Sequence, residues 1–435
     1  MRQMKDSGIE WIGEIPEGWE VKRIKFLFSE RNERCDNNTN LPLLSVSEYY
    51  GVAQRKEKIK EEETLVRASS LDGYKICYQH DIVINIMLAW RSSLGESPVQ
   101  GIVSPSYCVY KPILSNIYSR YYHYLFRTDI YANVFKQYST GIIDSRLRLY
   151  SDKFFSLFVQ LPPLAEQQRI ADYLDAKCAH IDQCLELTRQ SMEKLRAYKL
   201  SCITEAVTKG LDPDVPLKDS GVPWIGQIPA EWKVCKLKHI GKISGGTAFP
   251  IEFQGKDCEK YPFYKVSDLE LSSDGIHLAV AQNSISENIA EILKAKIIPA
   301  YSIIYAKIGA ALLLNRRRIS INKCIIDNNM SSFTPYQNTS LYFSYYLLSS
   351  IDFKTFIFPG TIPSFSEGNQ AKIYICLPPL PEQERIAAYL DKKCARIDAL
   401  LEEKQALLDK LAEYKKSLIF ECVTGKREVP SCWNR

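Results

Sequence analysis

The side chains of this 435-residue chain best suited to recognition are basic and lie in two separated stretches. The first holds Arg91, then Arg146 and Arg148 in the run G-I-I-D-S-R-L-R. The second holds Lys307, the triplet Arg316-Arg317-Arg318, and Ser364 and Ser366 in G-T-I-P-S-F-S. A guanidinium donates as a planar fork, so it matches a phosphate or the O6/N7 edge of guanine. Each of the cations also reads as a solvated surface charge, and no base identity follows from any of these residues. A further set, Glu166, Gln167, Arg169 and Glu382, Gln383, Arg385, stands at the start of two long helical runs, where capping and local ion pairing are expected.

Patterns for catalysis are missing. The chain has no G-x-x-x-x-G-K-[ST] phosphate loop, no G-x-G-x-x-G fingerprint and no G-x-S-x-G elbow. Its Pro-Pro pairs lack the preceding Asn or Asp of an amino-methyltransferase loop. Ser244-Gly245-Gly246-Thr247 reads as a turn, and Glu61-Glu62-Glu63 as a solvated face. The 13 cysteines are scattered, form no C-x-x-C pair and are joined by five histidines, which argues against a zinc site. Reduced thiols in an intracellular, cytoplasmic protein are the simplest reading. The chain reads as non-catalytic and as carrying no metal or cofactor.

The elements that hold these residues repeat. Residues 5–25 (K-D-S-G-I-E-W-I-G-E-I-P-E-G-W-E-V-K-R-I-K) match residues 218–238 (K-D-S-G-V-P-W-I-G-Q-I-P-A-E-W-K-V-C-K-L-K). Residues 161–182 (L-P-P-L-A-E-Q-Q-R-I-A-D-Y-L-D-A-K-C-A-H-I-D) match residues 377–398 (L-P-P-L-P-E-Q-E-R-I-A-A-Y-L-D-K-K-C-A-R-I-D). The offset is 213 for the first pair and 216 for the second. A period this long means a duplicated domain, not a solenoid. The middles, about 26–160 and 239–376, share no such identity. Constant edges around divergent bodies imply one shared task for the edges and different targets for the bodies.

After Pro162-Pro163 no Pro or Gly occurs until Gly210, and helix formers dominate. Apolar or small residues recur at Ile170, Leu174, Ile181, Leu185, Thr188, Met192, Leu195 and Cys202. The second copy gives Ile386, Leu390, Ile397, Leu401, Lys404, Leu408, Leu411 and Leu418. Spacings of four and three mark a coiled-coil seam, with Ile181, Leu185, Met192 and Leu195 facing Ile397, Leu401, Leu408 and Leu411. Some 42 residues at 1.5 Å each make a rod of roughly 60 Å. The expected partner of each helix is the other, antiparallel. Gly210 and Gly425 are the expected stops.

The bodies read as mixed α/β. Strands are expected at 81–88, 101–110, 302–308 and 324–333, and helices at 119–138 and 341–356. Trp11, Trp19, Trp224 and Trp232 are expected to seat each leading segment against the foot of a long helix. The fold class is therefore α+β: two mixed α/β domains joined by two long antiparallel helices, with a pseudo-two-fold internal repeat. The domain bounds are 1–160, a helix 161–210, 211–376, and a helix with tail 377–435. Hydrophobic residues at 46% and charged residues at 25% exclude a disordered tail or a collagen. The most apolar stretch, 297–314, contains Pro299 and Lys307 and reads as two buried strands, not a membrane span. A net charge of +5 is mildly basic and does not by itself require nucleic acid.

Two inverted modules on a spacer suit a two-fold-like ligand such as duplex DNA, whose groove faces recur about every 34–36 Å. The tandem pairing of W-I-G-x-I-P-x-x-W-x-V with L-P-P-L-x-E-Q-x-R-I-A-x-Y-L-D resembles the specificity subunits of Type I restriction–modification systems, over the whole chain. The resemblance implies that each body is a target recognition domain reading half of a bipartite, asymmetric site in double-stranded DNA. It implies that the helices dock modification subunits, two per chain, through residues such as Glu166, Gln167, Arg169, Glu382, Gln383 and Arg385. It implies S-adenosylmethionine-dependent adenine methylation by those subunits, and ATP- and Mg²⁺-dependent cleavage once restriction subunits join. Arg91, Arg146, Arg148, Lys307, Arg316, Arg317, Arg318, Ser364 and Ser366 then become candidate DNA contacts.

Overall fold

The computed structural model describes residues 2–36, 39–58, 71–357 and 362–430. The acidic run Glu61–Glu63 lies outside them. The chain forms two compact units: one takes the residues up to Thr188 and those from Gln405 onward, the other runs from Arg189 to Lys404.

Two helices, Leu164–Lys209 and Leu380–Val423, are 46 and 44 residues long, slightly longer than the sequence suggests. Each gives its first half to the unit of its own repeat and its last turns to the other unit. The halves pair antiparallel inside each unit. In the first, Asp182 meets Lys415 at 2.6 Å, while Ile181 and Leu185 share a core with Leu418 and, less buried, Leu408 and Leu411. In the second, Lys199 meets Asp398 at 2.6 Å, and further along Ile203, Ala206 and Val207 pack with Ile386, Leu390 and Cys394. Met192 and Ile397 are buried, and Leu195 and Leu401 half-buried. Both helices stop at glycines with positive φ, Gly210 (+79°) and Gly425 (+72°), a backbone state that other residues adopt at a cost.

The first unit opens with an antiparallel ladder of Met4–Asp6 on Glu14–Pro16. Glu20–Arg23 then pairs with Phe158–Leu161, which closes the body just before the long helix. Between them lies a four-stranded antiparallel sheet in the order Phe28–Arg31, Tyr107–Pro112, Ile82–Asn85, Leu94–Glu96. Aromatic rings fill its core: Phe28, Tyr110, Tyr121, Tyr122, Phe126, Phe135 and Phe154 are all buried. The helix expected over 119–138 is two, Ser119–Phe126 and Asp129–Tyr138. Thr128 breaks it by adopting extended backbone (φ −71°, ψ 151°), while its carbonyl already accepts from Ala132 N–H.

The second unit repeats the frame around a different body. Leu217–Asp219 pairs with Gln227–Pro229, and Lys233–Lys236 with Tyr374–Leu377. Its sheet has five strands, in the order Gly241–Gly245, Met330–Pro335, Ile303–Ala306, Arg317–Ser320, His277–Leu278, the last pair parallel. A separate three-stranded sheet has the order Ser284–Ile285, Tyr261–Tyr264, Ile325–Ile326. The apolar stretch 297–314 makes one strand, Ile303–Ala306, and a short helix, Ala310–Leu313, in place of the two strands expected. The helix expected to 356 ends at Ser350.

Ser244–Thr247 is a strand end, not a free turn. A Cβ on Gly246 would come within 1.9 Å of the Asp327 carbonyl oxygen, so the glycine permits close backbone packing. Among the described residues every cysteine is a free thiol, and no helix is long and apolar enough to cross a membrane.

Candidate nucleic-acid interface and the feet of the long helices

The feet of the two long helices are built alike. Trp19 donates its indole N–H to Glu166 Oε2 at 2.9 Å, and Trp232 does the same to Glu382 Oε2 at 2.9 Å. Both rings are buried. Gln167 Oε1 accepts from Tyr118 N–H (2.9 Å), while its amide nitrogen donates to the Pro162 carbonyl (2.8 Å). Gln383 matches it on Ser340 N–H (2.9 Å) and the Pro378 carbonyl (2.9 Å). One glutamine thus ties the start of a body helix to the proline turn that begins the long helix. The end of the opposite long helix closes each frame. Tyr121 O–H and Gln160 Nε2 donate to the Val423 carbonyl, and Cys376 Sγ lies 3.0 Å from the Val207 carbonyl.

This corrects one expectation. Gln167 and Gln383 are buried and engaged inside their own units, so their amides are not outward contacts for a partner. Glu166 is also buried, held by Trp19 and by Arg2 at 2.5 Å. Arg169 is half-buried. Glu382 keeps a partly open carboxylate, and Arg385 pairs with Asp212 at 2.5 Å.

In the first unit the loop that carries Arg146 and the half-buried Arg148 is tied to the segment that carries Arg91. Leu149 N–H bonds to the Ile86 carbonyl (2.9 Å), which pins the run 140–148 beside the turn after Ile82–Asn85. Thr140 and Arg148 close that run as a bridged pair. At its tip Ile142 is 100% exposed, with Arg146 exposed nearby in sequence. Lys136 joins the two loops, pairing with Asp144 at 2.9 Å and lying 4.9 Å over the Trp90 ring. Arg91, next to Trp90, is half exposed and held by Glu48 at 2.8 Å. Exposed cations, an indole and an isoleucine on one loop pair are able to grip phosphates and contact base edges.

Arg127 and Trp90 escaped the sequence reading. The Arg127 guanidinium donates to the carbonyls of Ser47, Glu48, Ser92 and Leu94 at 2.8–3.2 Å. It thereby fixes the turn that carries Glu48 to the strand that follows Arg91. Burial without a carboxylate partner lowers its pKa to about 10. No spacing signal marks such a residue, because its acceptors are backbone groups distant in sequence.

In the second unit the corresponding loops also meet: Phe365 N–H bonds to the Lys307 carbonyl (2.9 Å), and Ser364 bridges Ile308. Two of the cations are paired, as Arg91 is in the first unit. Lys307 is spent on Glu367 at 2.6 Å, and Arg316 pairs with Glu270. Ser366 caps a short helix by accepting from Asn369 N–H, and Ser364 is exposed. Arg317 requires correction as a surface contact. It is 2% exposed, inside the sheet, 5.0 Å over Tyr305 and 4.0 Å over Phe353. Strand alternation turns it inward, and burial lowers its pKa to about 10. Arg318 is half-buried and donates to the Arg317 carbonyl.

Comparison with known proteins accounts for the repeated frame. The profile of the Type I restriction modification DNA specificity domain matches twice, at residues 16–197 and 229–410. The putative type I restriction enzyme MjaX specificity subunit of Methanocaldococcus jannaschii is 26% identical over 277 residues, 58% of this chain and 60% of that protein. The MjaVIII specificity subunit of the same organism is 27% identical over 254 residues, 54% and 52% of the two chains. The chain thus matches little more than half the length of these two relatives. The MjaIX specificity subunit is 24% identical over 389 residues, 85% of each. Among solved structures, a chain from work on complex assembly and conformational transition of the type I R-M system aligns with a TM-score of 0.72 at 15% identity, covering 95% of this chain and 99% of that one. The HsdS subunit from Thermoanaerobacter tengcongensis aligns at 0.54 and 16% identity, covering 98% and 100%. With two profile matches that together take in most of its length, this chain belongs to the family of Type I restriction modification DNA specificity domains.

Proposed function

We propose that this chain is the DNA sequence-specificity subunit of a Type I restriction–modification complex. It reads a bipartite, asymmetric site in duplex DNA, one half with each body, and supplies no catalytic group. Modification subunits, two per chain, methylate adenine with S-adenosylmethionine, and restriction subunits add ATP- and Mg²⁺-dependent cleavage. The observation that carries this reading is the same helix foot built twice beneath two different sheets. An identical foot suits an identical partner, whereas a four-stranded and a five-stranded body suit two different half-sites. Two further features support it. Arg91 and Arg146 stay exposed on converging loops. Leu187, Leu200, Leu400 and Leu407 are 45–57% exposed on the long helices, apolar surface that a partner would cover.

Long-read methylome sequencing of the host, with the gene intact and deleted, tests the reading. A split, asymmetric motif that loses adenine methylation on deletion is the expected result. Unchanged methylation, together with no salt-dependent DNA affinity when modification subunits are added, would leave only a silent scaffold. Methylation or cleavage by the purified chain alone would make it an enzyme instead.

A further inference from the structure

The body helices Ser119–Phe126 and Leu341–Ser350 hold equivalent stations in their own units. Besides the two glutamine bonds, Tyr124 O–H donates to Asp175 Oδ1 (2.6 Å) and Tyr346 O–H to Asp391 Oδ1 (2.7 Å). On this register Arg120 of the first unit corresponds to Tyr342 of the second. Arg120 clamps Asp175, donating from Nε at 2.9 Å and Nη2 at 2.6 Å, and lies 5.2 Å over the Tyr124 ring. Asp391 has the tyrosine but not the arginine. Among the described residues its hydrogen-bond partner is Tyr346, and no Lys or Arg stands within ion-pair distance of it.

An open cleft of about 750 Å³ lies at this point, lined by Asp391, Asp398, Asp274, Tyr342, Tyr345 and Tyr346 among others. Its lysine, Lys199, is already bound to Asp398, and its histidine, His277, to Asp274. The cleft therefore offers, in Asp391, a carboxylate that neither Lys199 nor His277 pairs with, beside aromatic faces. A guanidinium fits this chemistry better than an ammonium, because it can fork onto a carboxylate while stacking on a ring. A free ion would gain little from an exposed carboxylate, so the group has to arrive on a larger surface. Leu200 and Leu400, exposed on the long helices, are chain neighbours of Lys199 and Leu401, which line the cleft.

We infer that this cleft receives an arginine side chain of the modification subunit, at the place the first unit fills with its own Arg120. The inference rests on the function proposed above. Because the first repeat is filled in cis, the contact is available once per chain, in addition to the helix foot that both repeats share.

The test uses the full chain with its modification subunit. Tyr342→Arg copies the first unit and closes the cleft from within; Asp391→Asn removes the acceptor charge. Each is expected to weaken association about tenfold in a titration at moderate salt, with the melting of the chain alone unchanged for Asp391→Asn and unchanged or raised for Tyr342→Arg. A photo-crosslinking residue at position 342 is expected to capture an arginine-bearing segment of the modification subunit. Unaltered association by both variants, or crosslinks confined to this chain, would overturn the inference. If the wild-type chain bound no modification subunit, the functional reading would fall and the inference with it.

Discussion

Trp19 and Glu166, 147 positions apart, are joined by a 2.9 Å hydrogen bond, and Trp232 and Glu382 repeat that bond at the same length in the second unit. In each case an indole carried by the leading segment reaches the first turn of the long helix. The ring supplies buried apolar area, and its single donor finds a charged acceptor, the arrangement that makes a buried tryptophan favourable.

Trp19→Phe and Trp232→Phe keep most of that area but lose the bond. Each is expected to cost about 1.5–3 kcal/mol in urea unfolding, the range for a bond to a charged group. Glu166→Gln combined with Trp19→Phe should cost less than the sum of the two single changes. Additive losses would show that the bond contributes nothing of its own.

Among the basic residues, exposure separates contacts from core. Arg91→Ala and Arg146→Ala are expected to leave stability within about 0.5 kcal/mol. Each should lower DNA affinity of the assembled complex and reduce the salt slope by about one. Arg317→Ala opens a hole between Tyr305 and Phe353 and should cost about 3 kcal/mol, the scale of a core truncation. Arg317→Met fills the hole and removes a buried charge, so stability and DNA affinity should both survive. Loss of affinity in a stable Arg317→Met protein would return Arg317 to the DNA contacts.

His123 sets a pH dependence. Its ring is buried beside Arg120 and Arg127, and burial first, then those two charges, hold its pKa well below the usual value. Its Nδ1 accepts from Glu96 N–H, which requires the neutral form. The unfolded chain therefore binds a proton below about pH 6.5 that the folded chain refuses. This contribution is complete above about pH 6.5 and is lost as the pH falls, by up to about 1.4 kcal/mol per pH unit. Denaturant midpoints between pH 7.5 and 5 should show that slope in the wild type. His123→Gln, which keeps an acceptor without titrating, should flatten it.

The two helix-ending glycines should differ in tolerance. A Cβ on Gly425 would meet Pro16 Cγ at 2.4 Å and Trp19 at 3.0 Å, whereas one on Gly210 meets nothing nearer than 3.2 Å. Both substitutions carry the positive-φ cost of about 1 kcal/mol or more. Gly425→Ala should lose at least about 1 kcal/mol beyond Gly210→Ala, because a proline ring on the backbone yields less than a glutamate side chain. Equal losses would mean that the leading segment shifts freely.

Much of this protein was determined by sequence alone. Of the four tryptophans expected at the helix feet, Trp19 and Trp232 bond there, and the duplicated frame and the two long antiparallel helices with their glycine stops followed from local period, spacing and repetition. These are properties that neighbouring residues carry among themselves. The family resemblance rested on the same constant edges, which is why it held where the bodies gave no signal. Tertiary structure decided the rest. It broke one expected helix at Thr128, where the chain turns to let Arg127 reach four carbonyls. It turned Arg317 inward and left Arg91 outside, a distinction that depends on which face of a strand or turn meets the core. It placed Gln167 and Gln383 inside their units, because the backbone N–H groups that bind their side-chain oxygens come from segments 49 and 43 residues away in sequence. It also left Asp391 without the arginine that its counterpart Asp175 enjoys, a difference visible only once two unlike body helices are superposed on the same tyrosine.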